Sequence, residues 1–88
     1  MHIAINLASG SSAAVPFDNG EARNYMVLAW GTFTNAALEI SPDGGTTWEQ
    51  VVQFSGSNNF TTQFLAPEAG YQLRVTLTSG SDISVDVN

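Results

Sequence analysis

The sequence contains no cysteine and no lysine, a single histidine and only two arginines, and no apolar run approaches the ~18 residues of a membrane span. Without cysteine there is neither a disulfide framework nor a thiolate metal site, so stability has to come from packing. With two basic residues, Arg23 and Arg74, against eight carboxylates, the net charge is −6. That balance excludes the clustered cations by which proteins neutralise nucleic-acid phosphates, and it disfavours an anionic membrane surface. The one histidine, His2, stands beside Met1, where no third group is expected to orient it for a Ser-His-Asp arrangement. The first residues lack the basic region and apolar segment of a signal peptide, so synthesis and retention in the cytoplasm are expected. At 88 residues the chain is one domain, 1–88, with no room for a second core.

What the chain does have is alternation. Charged residues are only 11 % of the total, and Ser, Thr, Asn, Gln and Gly fill the polar positions between apolar ones with a period of two and no helical stripe. Ile3 to Leu7 puts Ile3, Ile5 and Leu7 on one face. Ala13 to Phe17 carries Pro16, which removes a backbone donor and suits a sheet edge. Asp18-Asn19-Gly20-Glu21 reads as a turn. Tyr25 to Phe33 is the most apolar stretch, with bulky groups on both faces. Ala36 to Ile40 and Trp48 to Phe54 form a hairpin across Ser41 to Thr47. Phe60 to Ala66, Tyr71 to Leu77 and a last strand with Ile83, Val85 and Val87 inward complete the pattern. About seven or eight short strands predict an all-β, two-sheet antiparallel sandwich, jelly-roll-like or immunoglobulin-like, with a small barrel as the alternative.

Groups that could carry catalysis are sparse. Glu39 and Glu49 fall on outward positions of neighbouring strands, where a solvated face is expected rather than an acid/base pair. Asp18-Asn19-Gly20-Glu21 lacks the alternating acids of a calcium loop. Gly44-Gly45-Thr46-Thr47 joins two strands and has no lysine, so it is no phosphate cradle. No catalytic residue, cofactor or metal ligand is expected, and the chain reads as a non-enzyme.

The strongest local signal is Ser41-Pro42-Asp43-Gly44-Gly45-Thr46-Thr47-Trp48. It matches the pattern Ser-x-Asp-x-Gly-x-Thr-Trp and resembles the Asp-box hairpin of sialidases, other propellers and various β-sandwich domains. The Asp43 carboxylate can accept N–H groups inside the turn, Gly45 can take a positive φ, and Trp48 can fold over the hairpin base. Ser41, Asp43, Gly45, Thr47 and Trp48 are therefore read as a structural turn. Sialidase chemistry is not implied, since it needs an arginine triad and repeated blades.

A broader resemblance covers residues 24 to 88. Trp30-Gly31-Thr32-Phe33, the Asp-box turn, a Phe/Thr/Gln strand, and Tyr71-Gln72-Leu73-Arg74-Val75 followed by Gly80-Ser81 and a β tail are similar to small virion proteins of tailed bacteriophages. The resemblance implies a structural component of the particle, made in the host cytoplasm and placed in the virion. A head decoration (cement) protein binding the major capsid protein leads, with neck, tail or fibre attachment as other stations. A homo-oligomer is expected.

If Met26, Leu28 and Trp30 face the core, then Tyr25, Val27 and Phe33 face outward and, with Val51 and Leu65, form a partner surface. The other reading is a central strand covered on both faces. A competing class is a carbohydrate-binding β-sandwich using Trp30, Trp48 or Tyr71 as a sugar platform.

Overall fold

The computed structural model describes residues 2–17, 23–55, 60–66 and 71–88. All regular structure among them is β: β1 (His2–Leu7), β2 (Gly10–Ser11), β3 (Val15–Phe17), β4 (Arg23–Ser41), β5 (Glu49–Ser55), β6 (Phe60–Ala66) and β7 (Tyr71–Val87). Among the described residues no helix is long and apolar enough to cross a membrane. The Asp18 to Glu21 turn lies outside the described residues.

The ladders are antiparallel and connect these strands into one sheet. Its axis is the pairing of β4 with β7, from Val27↔Val87 to Ser41↔Gln72. On the far side of β4, β6 covers Arg23 to Ala29 and β5 covers Asn35 to Ile40. On the far side of β7 lie β1, β2 and β3 in turn, with pairs Leu7↔Ile83, Gly10↔Leu77 and Val15↔Leu73. Pro16 in β3 pairs only towards β7, at the sheet edge where its missing N–H costs no ladder bond.

Two pairs of strands that alternation separates are each continuous. Tyr25 to Phe33 and Ala36 to Ile40 belong to β4, and Tyr71 to Leu77 and Ile83 to Val87 belong to β7. What reads as a turn in sequence is a shared elbow. There the ladder slips between Thr32 and Ala36, and each strand carries a glycine in a conformation L-residues avoid, Gly31 at φ 133° and Gly80 at φ 146°. Their missing side chains let the backbones close up. A Cβ on Gly31 would lie 2.4 Å from the Asp82 carbonyl oxygen, and one on Gly80 would lie 2.6 Å from Phe33 Cα.

The slip also changes which residues point inward. Before the elbow the buried set on β4 is Tyr25, Val27, Ala29 and Phe33; after it, Ala36, Ala37 and Leu38. On β7 the odd positions Tyr71, Leu73, Val75, Leu77, Ile83, Val85 and Val87 stay inward throughout. Both halves of the sheet line one core with Val52 and Phe54, and the Phe33 ring meets Phe54 edge-on at 6.3 Å. Each fully buried aliphatic or Phe side chain contributes about 1.5–3 kcal/mol of transfer free energy.

β1 departs from its simple alternation. Ile3 and Ala4 are both buried whereas Ile5 is 64 % exposed. The register against β7 slips between Ala4 and Leu7, and Asn6 sits at φ 51°, the left-handed region Asn tolerates. The Asn6 N–H donates to Ser84 Oγ at 2.9 Å, so the buried hydroxyl on β7 satisfies the amide freed by the bulge.

Candidate functional site

The β4–β5 turn is held from within. Asp43 Oδ1 accepts from the Ser41 hydroxyl and from the Thr47 N–H, each at 2.8 Å, and Ser41 Oγ accepts the Gly45 N–H at 2.8 Å. Gly44 and Gly45 take φ 77° and 96°. The Trp48 indole N–H donates to the Gly45 carbonyl at 3.1 Å, which lays the ring back over the turn. The backbone N–H of Thr47 and then the hydroxyl of Ser41 hold the Asp43 carboxyl below its ordinary pKa, because both donate to the charged form.

Behind the hairpin, Arg74 places its guanidinium carbon 4.2 Å from the Trp48 ring centroid and donates from Nε to Glu39 Oε1 at 2.7 Å. Thr76 donates to the same Glu39 oxygen at 2.5 Å. The half-buried Glu39 is thus an acceptor for the sheet face, and one face of Trp48 is occupied by Arg74. Tyr71 is buried in the core. Of the three aromatics considered as sugar platforms, Trp30 alone is neither buried nor capped by a cation among the described contacts.

The face assignment of Tyr25 to Phe33 is the reverse of the one that would expose a partner surface there. Tyr25, Val27 and Phe33 are 2 %, 0 % and 1 % exposed, so they are core and cannot contact a partner. The exposed apolar residues of that strand are Met26, at 52 %, and Leu28, at 37 %. The physical reason is legible in retrospect. Tyr25, Val27, Ala29, Gly31 and Phe33 form a face on which the Tyr25 hydroxyl is the one polar side-chain group, whereas Met26, Leu28 and Trp30 share their phase with Asn24 and Thr32. A face bounded by polar groups can meet water; the more apolar one cannot do so at comparable cost.

Val51 is exposed on the face opposite Val52 and Phe54, at the bulge between the pairs Leu38↔Val52 and Glu39↔Gln50. It stands on the other half of the sheet from Met26 and Leu28. Leu65 pairs through its backbone with Asn24, and its side chain lies outside the described residues. Tyr25, Val27, Phe33 and Val51, read from sequence as parts of one interface, are therefore not brought together on one exposed face.

The outer face of the β6-β4-β7-β1 half instead carries Met26, Leu28 and the half-buried Trp30 on β4, with Ile5 on β1. Asp86 stands opposite Leu28 in the ladder, and Asp82 opposite Thr32. His2 Nδ1 lies 3.2 Å from Asp86 Oδ1, and the Asn88 amide donates to Asp86 Oδ2 at 2.7 Å. Burial alone would raise the Asp86 carboxyl, but the Asn88 hydrogen bond and nearby positive charge outweigh it and hold the group below its ordinary value. Among the described residues no group of three or more His, Asp or Glu side chains could hold a metal ion.

No protein-family model, curated protein or solved structure matches this chain.

Proposed function

We propose that this chain is a non-enzymatic structural protein of a tailed-phage particle, a capsid decoration subunit that docks on the shell by shape and by burying apolar surface. The supporting observation is the row Met26, Leu28 and Trp30, which leaves large apolar side chains on the outside of a strand whose other face is packed core. Rigid backing of this kind presents a surface with little ordering cost on binding. The resemblance of residues 24 to 88 to small virion proteins supplies the setting, and the −6 charge suits a subunit that sits outside a DNA-filled shell without competing for its contents. In this reading the two halves of the sheet, folded about Gly31 and Gly80, form the two layers of a small sandwich.

The test is co-sedimentation of the purified chain with tailed-phage shells stripped of surface proteins. Saturable, stoichiometric pelleting is the expected result. A chain that stays in the supernatant across shells at all concentrations would overturn the decoration reading.

A further inference from the structure

We infer that the outer face built by Met26, Leu28, Trp30 and Ile5 is the docking surface and that its occupant is a protein surface with an apolar centre and a lysine- or arginine-bearing rim, not a second copy of this chain. The inference rests on the reading of the chain as a docking protein and adds where it docks and to what chemistry.

Position comes first. Met26, Leu28 and Trp30 alternate along one strand, so their side chains stand in a row on one side of the sheet. Methionine and tryptophan are the residue types that interface centres favour, the first because it adapts its shape and the second because it brings much contact area with few rotatable bonds. Ile5 is a further exposed apolar side chain on β1, two strands away, with β7 and its Asp86 between it and the row.

Charge selects the occupant. Carboxylates border the row: Asp86 is the cross-strand neighbour of Leu28, and Asp82 that of Thr32. The chain has no lysine. Of the two arginines, Arg74 lies on the other half of the sheet, bonded to Glu39 and stacked on Trp48, and Arg23 opens β4 opposite Ala66, while His2 stands against Asp86. Two copies meeting through this face would bring Asp86 and Asp82 of each towards those of the other, within a pair carrying −12 (2 × −6). Like charges at a rim disfavour that pairing and slow the encounter, whereas a cationic rim does the opposite. The self-association expected from sequence is thus the competing occupant, and salt separates the two.

The experiment uses the full chain labelled for NMR. It is titrated with a soluble designed peptide alternating leucine and lysine, with a leucine and glutamate peptide of equal length as control. Tailed-phage shells stripped of surface proteins are examined in parallel by hydrogen-exchange footprinting. The expected result is that the leucine and lysine peptide shifts the amides of residues 24–30 and of Ile5, while the acidic peptide does not. Raising NaCl from about 50 to 500 mM should weaken binding roughly tenfold. Leu28→Lys and Met26→Lys, both at exposed positions and checked for an unchanged fold, should each weaken binding by about tenfold or more, and Val51→Lys should leave it unchanged.

Concentration-dependent shifts of the same amides in the chain alone, strengthened by salt, would overturn the inference in favour of a second copy. Shell protection confined to other surfaces would also overturn it while leaving the decoration reading intact. Peptide binding on this face without any shell binding would sustain the inference and sink the decoration reading.

Discussion

Val27 and Met26 are adjacent in sequence and opposite in environment, 0 % against 52 % exposed, and truncating each in turn reads the orientation of the strand. Val27→Ala should cost about 2 kcal/mol by denaturant unfolding, since it leaves a cavity among residues of both sheet halves; Met26→Ala should stay within about 0.5 kcal/mol. Equal effects would contradict the orientation described. Val27→Lys, which an outward-facing residue would accept, should instead unfold the domain by burying an unpaired charge. A second residue-scale prediction concerns Asp43. Its folded pKa is depressed by the Thr47 N–H and the Ser41 hydroxyl, so its contribution is present above the unfolded value of about 3.9 and is lost as pH falls through the lower folded value. Asp43→Asn should therefore lower Tm at neutral pH, and the gap from the parent should narrow on acidification to about pH 2. A constant gap across that range would mean the carboxylate charge does not hold the turn. The hydrogen-bonding groups of this turn are legible in sequence because each acts within four residues of the next. The exposed row is not legible in the same way: choosing between two apolar faces of one strand requires weighing Asn24 and Thr32 at its ends, residues outside the apolar run itself.

At the scale of elements, the elbow carries the sharpest test. Gly31→Ala and Gly80→Ala each place a Cβ within 3.0 Å of backbone atoms of the opposite strand, and backbone cannot rotate away as a side chain can. Each should cost roughly 3 kcal/mol or more. Gly10→Ala, also at positive φ but with open space around it, should cost only about 1 kcal/mol. Comparable losses at all three sites would show that conformation alone, and not close approach, sets the requirement. The same elbow explains why strand content was readable and strand continuity was not. Alternation at Tyr71, Leu73, Val75 and Leu77 and at Ile83, Val85 and Val87 identifies two inward-facing runs, but Ser79-Gly80-Ser81 between them has the composition of a turn. Only the approach of Gly31 to Asp82, a contact between residues distant in sequence, tells a bend in one strand from a break between two. The bulge in β1 was hidden for a similar reason, since Asn6 departs from the pleat to reach Ser84.

For the whole molecule, the pairing of β7 with four other strands makes it the member on which the rest depend. Residues 82–88 supply the ladder partners of β1 and of the Val27 to Thr32 segment, together with Ile83, Val85 and Val87 of the core. Deleting them should abolish the dispersed NMR spectrum and the cooperative unfolding transition of the full chain; a truncated chain that still unfolds cooperatively would show that the β5 half is a core in its own right. The topology also sets a timescale, because a sheet built almost entirely from non-local pairs folds in roughly milliseconds to seconds.

That arrangement has a consequence during synthesis. β1, β2 and β3 leave the ribosome well before β7, the strand to which they bond. β3 has no ladder to join until Tyr71 to Leu73 have emerged, β2 until Thr76 and Leu77, and β1 until Ile83 to Asp86, and until then these strands wait with their backbone groups in water and their edges open to other nascent chains. The composition meets that hazard: a chain with no lysine and a charge of −6 meets its neighbours on the polysome with like charge. The acidity on which the proposed docking draws also keeps unfinished copies apart.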